Sequence, residues 1–289
     1  MSQTNFLIGR GELLTNEIKG PKRMPGKAEV YSLQVAQQRL SPQFTSVAKA
    51  LDSLPQDACP GDFGIARLTM NPSYIARSFF PVAMLRSVGL ESVGSRTVKV
   101  TPDGWTKKGQ PRQCTTTELF IAGKRQSFRN LKSWAVEVEA ESDEALDMAH
   151  IESFSPFTPS DRIQSLGTKK DHFFEVGIHL LPDEDAQFVQ RAFSKFAKNA
   201  DVKVHSDLGF RAGNLWFVPV QGKHDNVQRL ADFVFVRVIR PMPKLRGLRP
   251  VLRSGGVNVG CSLPVEQPLS SEPKVAILDA GLPKHHAIK

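Results

Sequence analysis

The sequence predicts an α+β fold, and residues 168–242 carry the observations that predict it most clearly. Apolar side chains alternate over 174–180, as they do in a β-strand, and then recur at helical spacing from Val189 to Ala197. The elements predicted after that helix are two strands, a short helix and a last strand, at 202–204, 215–220, 223–231 and 233–239. The resulting order of strand, helix, strand, strand, helix, strand is that of a ferredoxin-like, split β-α-β module.

Two connections complete this predicted module. The helix is expected to begin at Pro182, with the acidic residues Asp183, Glu184 and Asp185 in its first turn, where they face the positive end of the helix dipole. Residues 207–214 are expected to form a glycine-containing turn between the second and third strands.

A similar order earlier in the chain predicts a first ferredoxin-like module over residues 61–160. Its predicted strands lie at 63–70, 93–100, 115–121 and 146–154, and its predicted helices at 81–88 and 126–134. A long connection that contains glycine and proline joins the second and third strands. The sequence therefore predicts tandem modules, with a single irregular α+β domain as the alternative that the pattern leaves open.

Residues 1–60 predict an N-terminal arm that carries a helix. Gly20, Pro21, Pro25 and Gly26 interrupt a basic stretch, which indicates a loop. Apolar residues then recur at helical spacing over residues 29–54. Because Pro42 lies inside this segment and cannot donate a backbone hydrogen bond, we expect it to split the helix.

The composition excludes several classes of protein. Of the 289 residues 40% are apolar and 23% are charged, which argues against wholesale disorder, and no window approaches the 18 apolar residues of a membrane span. The spacing of Cys59, Cys114 and Cys261 indicates no disulfide framework, metal site or cofactor. The first residues lack the pattern of a secretory signal, so we expect a cytoplasmic protein without membrane association.

The composition changes after residue 239. Residues 240–253 hold five Lys and Arg residues and no acid, interleaved with proline and glycine, and the following stretch is rich in serine and proline. The sequence therefore predicts an extended basic linker over residues 243–272.

Residues 273–289 contain the motif that carries chemistry. Residues 275–278 form a continuous apolar run, which is typical of a strand buried on both faces of a parallel sheet. Asp279 stands at the carboxyl end of this run, and Gly281 follows in a turn. Since open α/β folds place their active sites at the carboxyl ends of parallel strands, Asp279 is the candidate catalytic residue and Gly281 the residue that supports its turn.

The residues from Ile277 to Gly281 resemble the apolar-apolar-Asp-x-Gly motif at the start of the catalytic domain of subtilisin-like serine peptidases. The resemblance implies a serine-type endopeptidase with an Asp-His-Ser triad, in which Asp279 orients the histidine and stabilises its imidazolium. The H-G-T and G-T-S-x-A segments of that family are absent from the sequence. We therefore expect them beyond residue 289, and we expect this chain to be inactive alone.

The same resemblance suggests roles for the rest of the chain. Subtilisin-like enzymes commonly carry a ferredoxin-like prodomain that packs on the catalytic domain, and residues 168–242 with the linker 243–272 are similar to that arrangement. The long N-terminal extension resembles a bacterial cytoplasmic subgroup that is often encoded beside an AAA ATPase. The implied partners are a peptide substrate, the chain's own catalytic domain and an AAA ATPase.

Two other functions stay open. Tandem modules with an isoelectric point near 9.6 are compatible with RNA binding, although neither 215–220 nor 233–239 contains the aromatic RRM signature, so we do not favour nucleic acid as the partner. An interaction scaffold without enzymatic activity is the other alternative. If the strand at 275–278 lacks its sheet neighbours, residues from about 262 onward are expected to be poorly packed.

Overall fold

The described part of the chain comprises residues 30–105, 109, 111–168, 172–181 and 186–242 of a computed structural model. Several predicted features lie outside it. They are the loop near residue 20, the acidic turn at 183–185, the linker, the strand at 275–278 with Asp279 and Gly281, and the expected poor packing from residue 262 onward. All described residues belong to one structural unit.

The structure confirms a mixed α+β fold with two antiparallel sheets. The first sheet contains β1 (Phe63–Met70), β2 (Leu90–Val100), β3 (Cys114–Lys124) and β4 (Ile151–Pro156), in the order β2-β3-β1-β4. The helices that belong with it are α1 (Leu33–Asp52), α2 (Val82–Ser87), α3 (Arg125–Glu137) and α4 (Asp143–Ala149). The second and third predicted strands are present but begin earlier than the apolar pattern indicates.

The predicted strand at 146–154 is wrong in its first half, because residues 143–149 form α4. Ser142 caps this helix by accepting a hydrogen bond from the backbone N–H of Ala145, and Asp143 and Glu144 occupy its first turn. A serine followed by two acids is a helix-start signal that outweighs the apolar residues after it. The strand begins only at Ile151.

The expectation that Pro42 splits the first helix is also wrong, because α1 runs through it without interruption. Proline in a helix interior costs about 3 kcal/mol. The helix buries Leu40, Phe44 and Val47 completely against the first sheet, and each fully buried side chain of this size contributes about 1.5–3 kcal/mol. Packing therefore outweighs the lost hydrogen bond, and α1 forms part of the core.

The second sheet contains β5 (Phe173–His179), β6 (Lys203–Val204), β7 (Phe210–Ala212), β8 (Leu215–Gln221) and β9 (Val236–Pro241). Its order is β6-β8-β5-β9, and β7 also pairs with β8. The accompanying helices are α5 (Pro159–Arg162), α6 (Ala186–Asn199) and α7 (His224–Arg229). The predicted last strand starts three residues late, since a 3-10 turn occupies Leu230–Asp232 and β9 begins at Val236.

The prediction of one continuous turn over residues 207–214 is wrong. A 3-10 turn at Ser206–Leu208 is followed by β7, which forms a hairpin with β8 in which Ala212 pairs with Leu215. The two residues between them include Gly213 at φ +59°, a left-handed conformation that glycine adopts without strain. The hairpin extends the second sheet at one edge.

The two sheets differ in what covers the face that carries no helices. On the first sheet this face presents Ile65, Phe120 and Ala122, which belong to the same core as the second sheet. Phe120 lies 5.0 Å from the ring of Phe157 and 5.1 Å from the ring of His179. The helix-free face of the first sheet is therefore interior.

Candidate docking face on the second sheet

One face of the second sheet is packed against its helices. Phe174, Val176 and Ile178 of β5 point to this side and are fully buried. The stripe on α6 that meets them includes Val189 and Phe193, which are also fully buried. Since side chains alternate across a strand, the intervening residues of β5 must point to the opposite face.

The opposite face, called here the open face, carries an apolar surface with no helix over it. It consists of residues of β5, β7, β8 and β9: Phe173, Gly177, Phe210, Leu215, Phe217 and Val238. Phe173 and Phe210 are 50% and 56% exposed, which is high for side chains of this size. Exposed aromatic side chains on a sheet face without helices make that face a candidate interaction site.

Gly177 determines how the rings of the open face lie. It stands between Phe217 on β8 and Val238 on β9 in the sheet register. A Cβ at this position would come within 2.9 Å of the Phe217 ring and 3.0 Å of a Val238 methyl group. Because the glycine leaves this space, the Phe217 ring lies across β5, and it also stacks on Phe210 with centroids 5.3 Å apart and planes 19° from parallel.

Charged groups lie both within the open face and at its edge. Glu175 is buried and accepts a hydrogen bond of 2.6 Å from the Nε of Arg240, so its charge is compensated. Lys203 of β6 pairs with Gln221 at the edge of the same face and is exposed. The open face is therefore mainly apolar, with one compensated ion pair within it and one lysine at its edge, which suits a protein surface.

The candidate catalytic residues lie elsewhere in the chain. Asp279 and Gly281 fall outside the described residues, so their geometry is untested. The open face was not identified from the sequence, because the pattern of 215–220 does not show which side of the strand is covered. Trp216 is indeed buried, but the adjacent Phe217 must point the other way, and this alternation is the signal that finds it.

The most polar buried cluster in the described chain has no free capacity for a ligand. The carboxylate of Glu152 accepts hydrogen bonds from Tyr31 (2.9 Å), Asn71 (2.6 Å), Arg39 (3.2 Å) and the backbone N–H of Asp103 (2.9 Å). Its acceptor positions are filled. The cluster therefore joins the N-terminal residues of the described chain to the first sheet and is structural.

Two buried side chains of types that often take part in catalysis are shielded from substrates. Burial raises the pKa of the Cys59 thiol to about 11, which removes the thiolate needed for nucleophilic attack at neutral pH. His179 is 1% exposed. Within the described ranges no group of three or more His, Cys, Asp or Glu side chains is placed to hold a metal ion, and no helix is long and apolar enough to cross a membrane.

Comparison with known proteins adds no relationship to this geometry. No protein-family model matches the chain, and no curated protein matches it significantly.

Proposed function

We propose that the chain is the N-terminal, prodomain-like regulatory part of a subtilisin-like serine endopeptidase. The observation that carries the proposal is the open face, an exposed aromatic surface on a sheet whose other face is fully packed. The partner proposed for this face is the catalytic domain that carries the histidine and serine. In that domain Asp279 is the triad carboxylate, and the histidine and serine follow in the chain.

The proposal includes tandem ferredoxin-like modules. The support is the strand order, which is equivalent in the two sheets. In each sheet the first and third strands of the module pair at the centre, and the second and fourth lie outside them. A helix follows the first strand and another follows the third, as the split β-α-β pattern requires.

The position of the linker supports the catalytic domain as the occupant. Asp279 follows Pro241, the last residue of β9, by 38 residues. If these residues form the extended linker that the sequence predicts, they would span roughly 35 Å on average, enough to reach around a small domain. A tether of this kind holds the catalytic domain near the open face at an effective concentration on the order of 1 mM.

The other partners and the compartment are part of the same proposal. A peptide is the substrate, an AAA ATPase is a regulatory partner, and the protein acts in the cytoplasm. This chain's own residues supply docking surface and one carboxylate, so hydrolysis requires the histidine and serine segments.

The first test is the reading frame that follows codon 289. The proposal requires in-frame H-G-T and G-T-S-x-A segments downstream, and a frame without them overturns it. If the segments are present, the 289-residue chain is added to the separately produced catalytic portion and peptide hydrolysis is followed. Added in trans, the chain is expected to inhibit at concentrations from tens of micromolar to millimolar.

Variants of the open face then locate the contact. Phe210→Asp places a charge on the exposed ring position and is expected to weaken inhibition at least tenfold, as loss of an interface aromatic does. Val136→Asp is the matched control, since Val136 is 73% exposed on α3, away from the second sheet. Equal inhibition by both variants would exclude the open face as the contact.

The stacked pair of Phe210 and Phe217 favours one second candidate, the binding of single-stranded RNA. Aromatic rings on an open sheet face stack on bases, and Lys203 supplies positive charge at the edge of the face. This function predicts sub-micromolar affinity for single-stranded RNA that falls steeply with salt. Fluorescence anisotropy with a labelled oligonucleotide measures it, and absence of binding removes this candidate.

A further inference from the structure

A pocket lies on the helix side of the second sheet, away from the open face. It has a volume of about 490 Å³, within the range of small-molecule sites. The residues that line it come from α6, from the 3-10 turn before β7 and from the hairpin, and they include Arg191, Ser194, Ser206, Gly209, Arg211 and Trp216.

The indole of Trp216 supplies a donor to this pocket. Its ring packs into the core, edge-on to Phe193 at 6.2 Å, and the residue is only 4% exposed. No acceptor in the described part of the chain binds its Nε1–H. The nitrogen itself is not among the enclosed unpaired atoms, so its N–H is open to the pocket and can donate to a group bound there.

Gly209 keeps the space in front of that donor open. Its backbone is extended, with φ −75° and ψ 146°, a conformation that any residue adopts, so the chain geometry does not require glycine here. A Cβ at this position would lie 2.5 Å from the Nε1 of Trp216. A glycine at position 209 therefore keeps the indole N–H accessible from the pocket.

Two arginines from different elements flank the same space. Arg191 lies on α6, and Arg211 lies on β7 directly opposite Trp216 in the sheet register. Arg191 donates to the neutral Gln187 amide at 3.2 Å, and neither arginine has an ion pair among the residues described. None of the residues that line the pocket is acidic, so its positive charge is uncompensated.

We propose that this pocket binds the phosphate group of a small phosphorylated ligand. A phosphate monoester carries a charge of about −1.5 to −2 and three acceptor oxygens. Two guanidinium groups match that charge, and the indole N–H and the hydroxyl of Ser206 supply further donors. A carboxylate, with one charge and two oxygens, would leave one arginine unmatched. The site is on the opposite side of the sheet from the open face and does not depend on the proposed function.

The test follows the indole N–H signals of the full chain by 1H–15N NMR during a titration with inorganic phosphate at constant ionic strength. The chain contains three tryptophans, and Trp216→Phe assigns the relevant signal. We expect the Trp216 signal to shift. The Trp105 signal should not, because its Nε1 already donates to the carbonyl of Gly109 at 3.0 Å.

Variants separate this site from general attraction of anions. Arg191→Gln and Arg211→Gln are each expected to raise the dissociation constant at least tenfold, and both residues are exposed, so folding is not at risk. Gly209→Ala places a methyl group against the indole nitrogen and is expected to abolish the shift. Arg86→Gln, an exposed arginine on α2, is the matched control and should bind as the wild-type chain does.

Further titrations identify the source of the phosphate. AMP and O-phosphoserine are compared, and the tighter ligand shows whether a nucleotide or a phosphorylated amino acid is preferred. The proposal is overturned if the Trp216 signal does not respond to tens of millimolar phosphate. It is also overturned if acetate shifts the signal equally, or if both arginine variants bind as tightly as the wild-type chain.

Discussion

His179 is expected to make the protein sensitive to acid. It is the last residue of β5 and lies between the two sheets, with its Cε1 against Gly94 of β2 and its ring 5.1 Å from that of Phe120. Neither ring nitrogen makes a hydrogen bond of normal geometry in the described chain. Burial, followed by the positive charge of Arg237, lowers the pKa of His179 from 6.5 to about 3.

Because the pKa of His179 is lowered, acid destabilises the folded chain. The pKa is lower in the folded state, so the unfolded chain takes up the proton first as the pH falls. The neutral imidazole is fully compatible with folding above pH 6.5, and stability is lost between pH 6.5 and 3. At pH 4.5 the difference of two pH units from 6.5 corresponds to about 3 kcal/mol, a large part of the stability of a typical domain.

Urea unfolding of the wild-type chain and His179→Leu at pH 7.5 and pH 4.5 measures this contribution. At pH 7.5 the two free energies of unfolding should agree within about 1 kcal/mol, because leucine removes two unpaired nitrogens and fills a similar volume. At pH 4.5 the variant should be more stable by about 3 kcal/mol. His172→Leu, which removes an exposed imidazole, is the control and should retain the wild-type acid sensitivity. Parallel losses of stability in the wild-type chain and His179→Leu would refute the reasoning.

Three further substitutions test buried or partly buried polar groups by urea unfolding. Arg162→Met removes a fully buried guanidinium that donates to the carbonyls of Ala231 (2.6 Å) and Phe157 (2.8 Å). Leaving these carbonyls unpaired should lower the free energy of unfolding by about 3–5 kcal/mol, and a loss below about 1 kcal/mol would contradict this. Glu152→Ala removes a buried carboxylate that accepts from four donors and should cost at least about 3 kcal/mol, whereas exposed Glu139→Ala should cost under about 0.5 kcal/mol. Burial raises the pKa of Asp147 to about 6, so the folded wild-type chain loses stability as the pH rises through 6. Asp147→Asn should therefore gain stability relative to the wild-type chain between pH 4 and pH 8. An unchanged difference between the two free energies of unfolding would contradict the raised pKa.

The sequence was sufficient to predict those elements in which one pattern of apolar spacing continues without a competing local signal. The strand at 174–180 and the helix after it were predictable because alternation and helical spacing each continue over many residues. The failures came where one local rule competed with another. Pro42 argued for a break, but the apolar face of α1 could be weighed only once its burial against the first sheet was known. The hairpin at β7 was missed because its strand has only three residues.

The candidate sites were harder to predict for a different reason. Whether an aromatic residue on a strand is core or surface depends on which face of the sheet is covered, and this is a property of the tertiary structure. Phe120 and Phe217 both occupy helix-free faces, yet the first is buried and the second lies on the open face. The phosphate pocket likewise depends on the position of Gly209 against Trp216, which are seven residues apart in sequence.

The size of the open face limits how it can act under the proposed function. Complete burial of an aromatic side chain of this size contributes about 1.5–3 kcal/mol. The exposed rings of Phe173 and Phe210 together therefore supply at most about 3–6 kcal/mol, which corresponds to dissociation constants from millimolar to tens of micromolar. An untethered partner would dissociate readily at cellular concentrations. A tethered catalytic domain at an effective concentration on the order of 1 mM would be docked about ten to one if its dissociation constant were about 0.1 mM. The open face is thus suited to a partner in the same chain, and cleavage within the linker would release that partner without any change in the face itself.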